Sequence, residues 1–216
     1  MKKYFPEKLY PDANGLCCLG GDLEPEILLE AYSRGLFPWT SKPRIGWFSP
    51  DPRMILLPQR FTPSNRLLRK IRSQTFTFSF DQAFGEVINR CALPRKKDTC
   101  TWITSDFIQA YAKLHQLGIA HSAEVRHEGN LVGGLYGLAI GRAFFGESMF
   151  SLKPDGSKIA LAYLCRFLAE NGFHFIDCQV PTAHLASLGA HTISRKNFNI
   201  MLEKALRDDF QAVWKI

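Results

Sequence analysis

The sequence predicts an α+β fold with a small Pro- and aromatic-rich α+β segment over residues 1–60 and a larger α+β unit over 61–216. Three observations predict it. Eight of the twelve prolines crowd the first sixty residues. From Phe61 onward the apolar periodicity alternates between about 2 and 3.6 residues, giving the order β-α-α-β-β-β-α-β-α. Two short acidic motifs, Gly146-Glu147-Ser148-Met149-Phe150-Ser151 and Ile176-Asp177-Cys178-Gln179, each end an apolar strand-like run, with a helix-like segment between them. A strand–helix–strand unit makes its strands parallel near neighbours, so Glu147 and Asp177 are expected at one sheet edge.

In chain order, Pro25 to Arg34 reads as a helix stopped by Gly35. The run from Phe37-Pro38-Trp39 to Trp47-Phe48-Ser49-Pro50-Asp51-Pro52-Arg53 is too rich in proline for regular helix or central strand. Thr62-Pro63 is expected to start a helix running to Arg72, with Thr62 as N-cap and Pro63 in the first turn. Thr75–Phe80 alternates as a strand, with Phe76, Phe78 and Phe80 on one face. Helices over 81–92 and 105–117 follow, the second ended by Gly118. Strands are expected over 120–127, 131–140 and 142–149, the first two joined by a turn at His127-Glu128-Gly129-Asn130. A helix over 157–170, a strand over 173–179 and a helix over 195–208 complete the order.

A chain of 216 residues can bury a real core, and 46% hydrophobic with 22% charged residues is ordinary for a soluble domain. No apolar run approaches the about 20 residues of a membrane span. Pro6 and Glu7 interrupt the start before a signal-peptide core could form, so a cytoplasmic protein is expected. The six cysteines, 17, 18, 91, 100, 165 and 178, show no paired ligand spacing, which argues against a metal and for free thiols. Net charge is +7, and residues 61–118, with 9 basic and 4 acidic side chains, carry +5 of it. That asymmetry points to a polyanionic partner.

The basic helix is the clearest such surface. Arg66, Arg69, Lys70 and Arg72 fall in a window without an acid between Asp51 and Asp81. Leu67, Leu68 and Ile71 share one face, leaving Arg66, Arg69 and Lys70 on the other. Arg95-Lys96-Lys97 extends the charge. The set fits nucleic-acid phosphate, against a merely solvated helix. The aromatics Trp39, Trp47, Phe48, Trp102 and Tyr111 fit either core packing, base stacking or an apolar pocket. Leu131-Val132-Gly133-Gly134-Leu135-Tyr136-Gly137 lacks a dinucleotide fingerprint, leaving close backbone approach or room for an acyl group. Gln179 lies two residues beyond Asp177, hence on the same strand face, and an acid with an amide can orient and deprotonate an amine. Helix caps or arginine partners are the structural alternative for Glu147 and Asp177. No serine sits in a GxSxG elbow.

The element order resembles the GCN5-related N-acetyltransferase fold for the C-terminal domain. More specifically, Trp47 to Arg53, Thr101-Trp102-Ile103-Thr104, Ala120 to Val125, Leu131 to Gly137, Gly146 to Ser151, Ile176 to Gln179 and Ser187-Leu188-Gly189-Ala190 resemble, in order, the leucyl/phenylalanyl-tRNA–protein transferase family. Phe48 stands where that family often has a second Trp. The resemblance implies transfer of Leu or Phe, less well Met, from aminoacyl-tRNA to the N-terminal amine of proteins beginning with Arg or Lys. It implies entry of the product into N-degron degradation, no metal or organic cofactor, and tRNA binding by Arg66, Arg69, Lys70 and Arg72. It places Asp177, Gln179 and Glu147 in catalysis. Trp47, Phe48, Trp102, Tyr111, Leu135, Phe144, Met149 and Ser151 are the expected substrate-binding set, and a monomer is expected. Two other classes stay open: an acetyl-CoA-dependent N-acetyltransferase, and a non-catalytic tRNA-binding module. The first would want a glycine-rich loop before the helix at 157, where only Gly156 is found.

Overall fold

The computed structural model describes residues 4–40, 43–94, 101–207, 210 and 212–214. The basic run Arg95-Lys96-Lys97 and Cys100 lie outside them. The elements are β1 (Leu16–Leu19), α1 (Pro25–Ser33), β2 (Phe37–Thr40), β3 (Gly46–Phe48), β4 (Arg53–Leu56), a 3₁₀ turn (Pro58–Arg60), α2 (Asn65–Arg72), β5 (Thr77–Phe80), α3 (Phe84–Ala92), α4 (Ser105–Gln116), β6 (Ala120–His127), β7 (Asn130–Ile140), β8 (Ala143–Ser151), α5 (Gly156–Glu170), β9 (Phe175–Gln179), α6 (Ala183–Ala186), β10 (His191–Ile193) and α7 (Arg195–Ala205). The order expected from Thr75 onward is present, with the short α6 and β10 added.

A seven-stranded sheet runs β10-β4-β9-β8-β7-β6-β5, and a three-stranded sheet runs β1-β3-β2. All pairings are antiparallel except β8 with β9, the parallel pair joined through α5. The large sheet is packed on both faces. Leu67 of α2 and Ile159, Leu161, Leu164 and Leu168 of α5 form one core with its first face. The other core joins α1, α3, α4 and α7 to its second face and to the small sheet.

Three expectations need correction. Residues 37–53 do form strand, and β3 is even the central strand of the small sheet. This is possible because the prolines avoid it: Pro38 lies on the edge strand β2, and Pro50 and Pro52 follow β3. β4, also within the first sixty residues, lies inside the large sheet between β10 and β9. Finally, α2 starts later than Thr62-Pro63 suggests. Ser64 is its N-cap, its hydroxyl accepting from the Leu67 N–H at 3.2 Å, while the Thr62 hydroxyl donates to the Arg60 carbonyl.

The glycine-rich strand answers to close packing. A Cβ on Gly133 would lie 2.4 Å from the Gly156 backbone, and one on Gly137 would lie 2.2 Å from the Phe145 carbonyl. β7 and the start of α5 therefore touch backbone to backbone. Among the described residues no helix is long and apolar enough to cross a membrane.

Candidate active site

The site arises where the parallel pair, β8 with β9, comes apart. β8 and β9 pair at Ala143↔Phe175, Phe144↔Ile176 and Phe145↔Asp177, and no further. Beyond that point each strand carries a bulge. On β8, Tyr136 pairs with Ser148 and Gly137 with Gly146, which leaves Glu147 as the extra residue. On β9, Met54 pairs with Gln179 and Ile55 with Asp177, which leaves Cys178 extra. Bulges bend strands and re-aim side chains. Here they open a cleft with Glu147 on one lip and Gln179 on the other, bridged by a 3.0 Å hydrogen bond from Gln179 Nε2 to Glu147 Oε1.

Glu147 is held from three sides. The Tyr32 hydroxyl of α1 lies 2.7 Å from its Oε1 and the Tyr111 hydroxyl of α4 lies 2.9 Å from its Oε2. The two hydroxyls are themselves 2.5 Å apart. The carboxyl sits deep in the protein with one edge open to the cleft. Burial, with the negative Asp177 adding to it, pushes its pKa up to about 7, against the hydroxyl and amide donors that oppose the shift.

Asp177 is placed differently. It is 0% exposed and faces Arg53, which is 1% exposed. Arg53 Nε donates to Oδ1 at 2.8 Å and Nη2 to Oδ2 at 2.6 Å, a two-pronged ion pair. Arg53 Nη1 donates to the Gly35 carbonyl, and its guanidinium lies 4.8 Å from the Phe37 ring and 4.4 Å from the Phe198 ring. Asp177 Oδ1 also accepts from the Gln179 N–H at 2.9 Å. That bond fastens Gln179 at φ 61°, a left-handed conformation unusual for a residue with a side chain. The equal aim of Asp177 and Gln179 read from strand alternation is not what the fold makes: Asp177 grips Arg53 and the backbone, and only Gln179 reaches the cleft. The reason is the bulge and the left-handed turn, which break the two-residue period.

The cleft opens into a cavity of about 400 Å³. Leu135, Phe144, Met149, Leu161, Leu164, Ile176 and Leu185 form much of its wall, with Glu147 and Gln179 at the polar end and Trp39 and Trp102 also lining it. Of the expected substrate-binding set, Trp102, Leu135, Phe144 and Met149 line it. Four do not. Trp47 is 2% exposed, packs edge-on to Phe5 and donates its indole N–H to the Gly20 carbonyl, so it belongs to the core. Phe48 lies behind Trp39, edge to face at 5.5 Å. Tyr111 is buried behind Glu147. The Ser151 hydroxyl accepts from the Ser157 N–H at 2.8 Å and ties the start of α5. Sequence reading did not single out Tyr32 or Arg53 for the site. Arg53 closes the Trp47–Arg53 motif, an arginine behind two prolines and two aromatics, but nothing in one dimension pairs it with Asp177.

On α2, Arg66, Arg69 and Arg72 point outward as expected, but the patch has a counter-charge. Lys70 Nζ lies 2.5 Å and Arg66 3.7 Å from Asp155 Oδ2, contributed by the loop before α5. These bonds, with Lys158 alongside, hold the Asp155 carboxyl below its ordinary pKa. Among the described residues no cluster of three or more His, Cys, Asp or Glu is arranged to hold a metal ion.

Comparison with known proteins supplies the decisive observation. Residues 55–203 match the family model described as leucyl/phenylalanyl-tRNA protein transferase, and residues 21–51 match that of its N-terminal domain. The chain belongs to the leucyl/phenylalanyl-tRNA–protein transferase family. It is 52% identical over 212 residues to the leucyl/phenylalanyl-tRNA–protein transferase of Hahella chejuensis, covering 98% of this chain and 91% of that one. Its relative from Syntrophobacter fumaroxidans, also named leucyl/phenylalanyl-tRNA–protein transferase, is 52% identical over 200 residues, covering 92% and 86%. The enzyme is therefore an aminoacyltransferase. Among solved structures, a GCN5-related N-acetyltransferase from Kribbella flavida aligns with a TM-score of 0.39 at 12% identity, over 79% of this chain and 61% of that one. At that distance the likeness decides nothing about substrate or chemistry.

Proposed function

We propose that the enzyme, a cytoplasmic monomer, transfers Leu or Phe, and less well Met, from aminoacyl-tRNA to the N-terminal α-amine of proteins beginning with Arg or Lys. Its products enter the N-degron route. The observation that carries the reading is a single cleft joining a hydrophobic cavity to the Glu147–Gln179 pair. The cavity suits an apolar amino-acid side chain, and the polar end suits an amine attacking the adjoining ester.

The chemistry asks little of the protein beyond placement. The aminoacyl ester is already activated, and an α-amine has a pKa of about 7.7–8.0, so roughly a tenth is neutral at pH 7. Holding the two reactants in contact is worth up to about 7–11 kcal/mol. Gln179 and Glu147 face the amine and the ester, while Asp177 is a positioning residue: with Arg53 it fixes the turn that carries Gln179. Trp39 and Trp102 flank the donor at the cavity wall. Arg66, Arg69, Lys70 and Arg72 hold the tRNA backbone without reading sequence.

The acetyl-CoA alternative is disfavoured by the start of α5. A pyrophosphate would need its open N–H groups. That end is instead closed by Ser151, which accepts the Ser157 N–H, and by the Gly133 backbone. One assay separates the readings: labelled Leu-tRNA with an Arg-starting peptide, beside acetyl-CoA with the same peptide and tRNA binding alone. Peptide-bond formation only with Leu-tRNA is the expected result. Acetyl transfer, or binding without transfer, overturns the proposal.

A further inference from the structure

Three oxygen-bearing groups meet in the interior behind the cleft, and their protons can be counted. The Tyr32 and Tyr111 hydroxyls are 2.5 Å apart, Tyr32 is 2.7 Å from Glu147 Oε1, and Tyr111 is 2.9 Å from Oε2. All three separations lie within hydrogen-bond range, and each such contact needs its own proton. Two phenols bring two. If Glu147 were a carboxylate, one contact would set lone pair against lone pair, an unmade bond in a buried place. A proton on Glu147 fills all three: each group then donates once and accepts once around the ring.

The geometry points to Tyr32, Tyr111 and Glu147 acting as one three-proton ring that rests with Glu147 as the neutral acid and relays the acceptor amine's proton to the departing 3′-oxygen. The relay rests on the transfer reaction proposed above. The nitrogen of the neutral amine bonds to the ester carbonyl carbon, and the bond from that carbon to the 3′-oxygen breaks. Glu147 gives its proton to the 3′-oxygen and recovers one from the former amine nitrogen. Protons balance, and no other reagent is consumed. A shift of the ring by one position lets the carboxyl release a proton from one oxygen while the other is refilled.

The surroundings support a neutral carboxyl. From β7, Tyr136 brings a third phenol that is wholly buried and has no hydrogen-bond partner among the described residues, so it adds no donor to stabilise a carboxylate. From β9, Gln179 donates one N–H to Oε1, and the facing charge of Asp177 is negative, with Arg53 turned to it rather than to Glu147. Cys178, its thiol pushed up by burial, stays uncharged, and His184 lines the same cavity. Burial raises Tyr32, Tyr111 and Tyr136 well above the ordinary phenol, so no phenolate competes for the ring proton. Burial likewise raises Glu147.

Neutron diffraction from deuterated wild-type crystals, grown about one pH unit below the Glu147 pKa of about 7, counts the protons directly. Three deuterons in the ring are expected; two, with a bare carboxylate, overturn the proposal whatever the enzyme transfers. The relay is read by single-turnover transfer from Leu-tRNA to an Arg-starting peptide across pH. Wild type should lose rate on the alkaline side as the ring gives up its proton. Tyr32→Phe and Tyr111→Phe should each slow the step, by up to about a hundredfold, and move the midpoint of that alkaline limb, with tRNA binding retained. An unmoved midpoint in both variants overturns the relay. Absence of transfer by wild type counts against the transfer reading itself, and leaves the proton count standing.

Discussion

Replacing Arg53 by Met isolates the one buried ion pair in the described core. Met keeps much of the arginine stem's volume between Phe37 and Phe198. It removes the two bonds to Asp177 and the bond to the Gly35 carbonyl. Asp177, 0% exposed, would then hold an uncompensated charge. Removing one partner of such a pair costs about 3–5 kcal/mol. Single domains are stable by about 5–15 kcal/mol, so Arg53→Met should remain folded with a large part of its stability gone. The double variant Arg53→Met/Asp177→Asn supplies the control. Asn takes the charge away yet can still accept from the Gln179 N–H through Oδ1. It should recover at least half of the loss, a coupling well beyond the about 0.5 kcal/mol expected of independent sites. Urea unfolding at neutral pH, followed by fluorescence and circular dichroism, gives the free energies. A loss below about 1 kcal/mol for Arg53→Met, or strict additivity in the double variant, would contradict a buried, coupled pair. The pair would then be no more than a solvated contact. Activity adds a separate check: the positioning role of Asp177 requires that the recovered stability of the double variant does not restore full kcat, since the side chain that accepts the Gln179 N–H is no longer clamped by Arg53.

Three further outcomes follow from the same geometry. Because the Glu147 pKa rises from 4.5 to about 7 on folding, the folded state binds more protons than the unfolded state between those values, so the group's contribution to stability falls as pH rises through that window, by at most about 3 kcal/mol. Thermal unfolding of wild type and Glu147→Gln should show the gap moving in the variant's favour from pH 4.5 to 7, and a constant gap would contradict the buried acid. Trp47→Ala should destabilise by about 3–5 kcal/mol as a core deletion, whereas Trp102→Ala should raise KM for aminoacyl-tRNA with little change in unfolding midpoint; the reverse pattern would exchange their places. On α2, Arg69→Ala and Arg72→Ala should each flatten the salt dependence of tRNA binding by roughly 1 in slope, and Lys70→Ala by less because Lys70 is engaged by Asp155. Equal slopes for all three would remove that distinction.

The regular elements were legible because their signals are local. The amphipathic runs of α3, α4 and α5 and the alternation of β5 fix type within a few residues. Errors fell where a local rule had a local competitor. Thr62 and Ser64 are both good caps, and only the bond from the Leu67 N–H selects Ser64. Prolines warn against strand, yet placed on an edge and in the flanks they leave β3 intact. The acidic motifs and their closeness were also legible, since a strand–helix–strand unit brings two strand ends together whatever their contents.

What the sequence alone determined is the list of parts: an α+β chain, two acids at adjoining strand ends, a basic helix, a stock of aromatics and the motifs of one enzyme family. Which acid faces the cleft was decided by the tertiary structure. Two bulges, one at Glu147 and one at Cys178, shift registers that alternation assumes unbroken. The partners that divide the acids' roles are Arg53 for Asp177, 124 residues away, and Tyr32 and Tyr111 for Glu147, 115 and 36 residues away. No short-range periodicity carries such pairings. They exist because folding removes these carboxyls from water, and a buried carboxyl must find a countercharge or hold a proton.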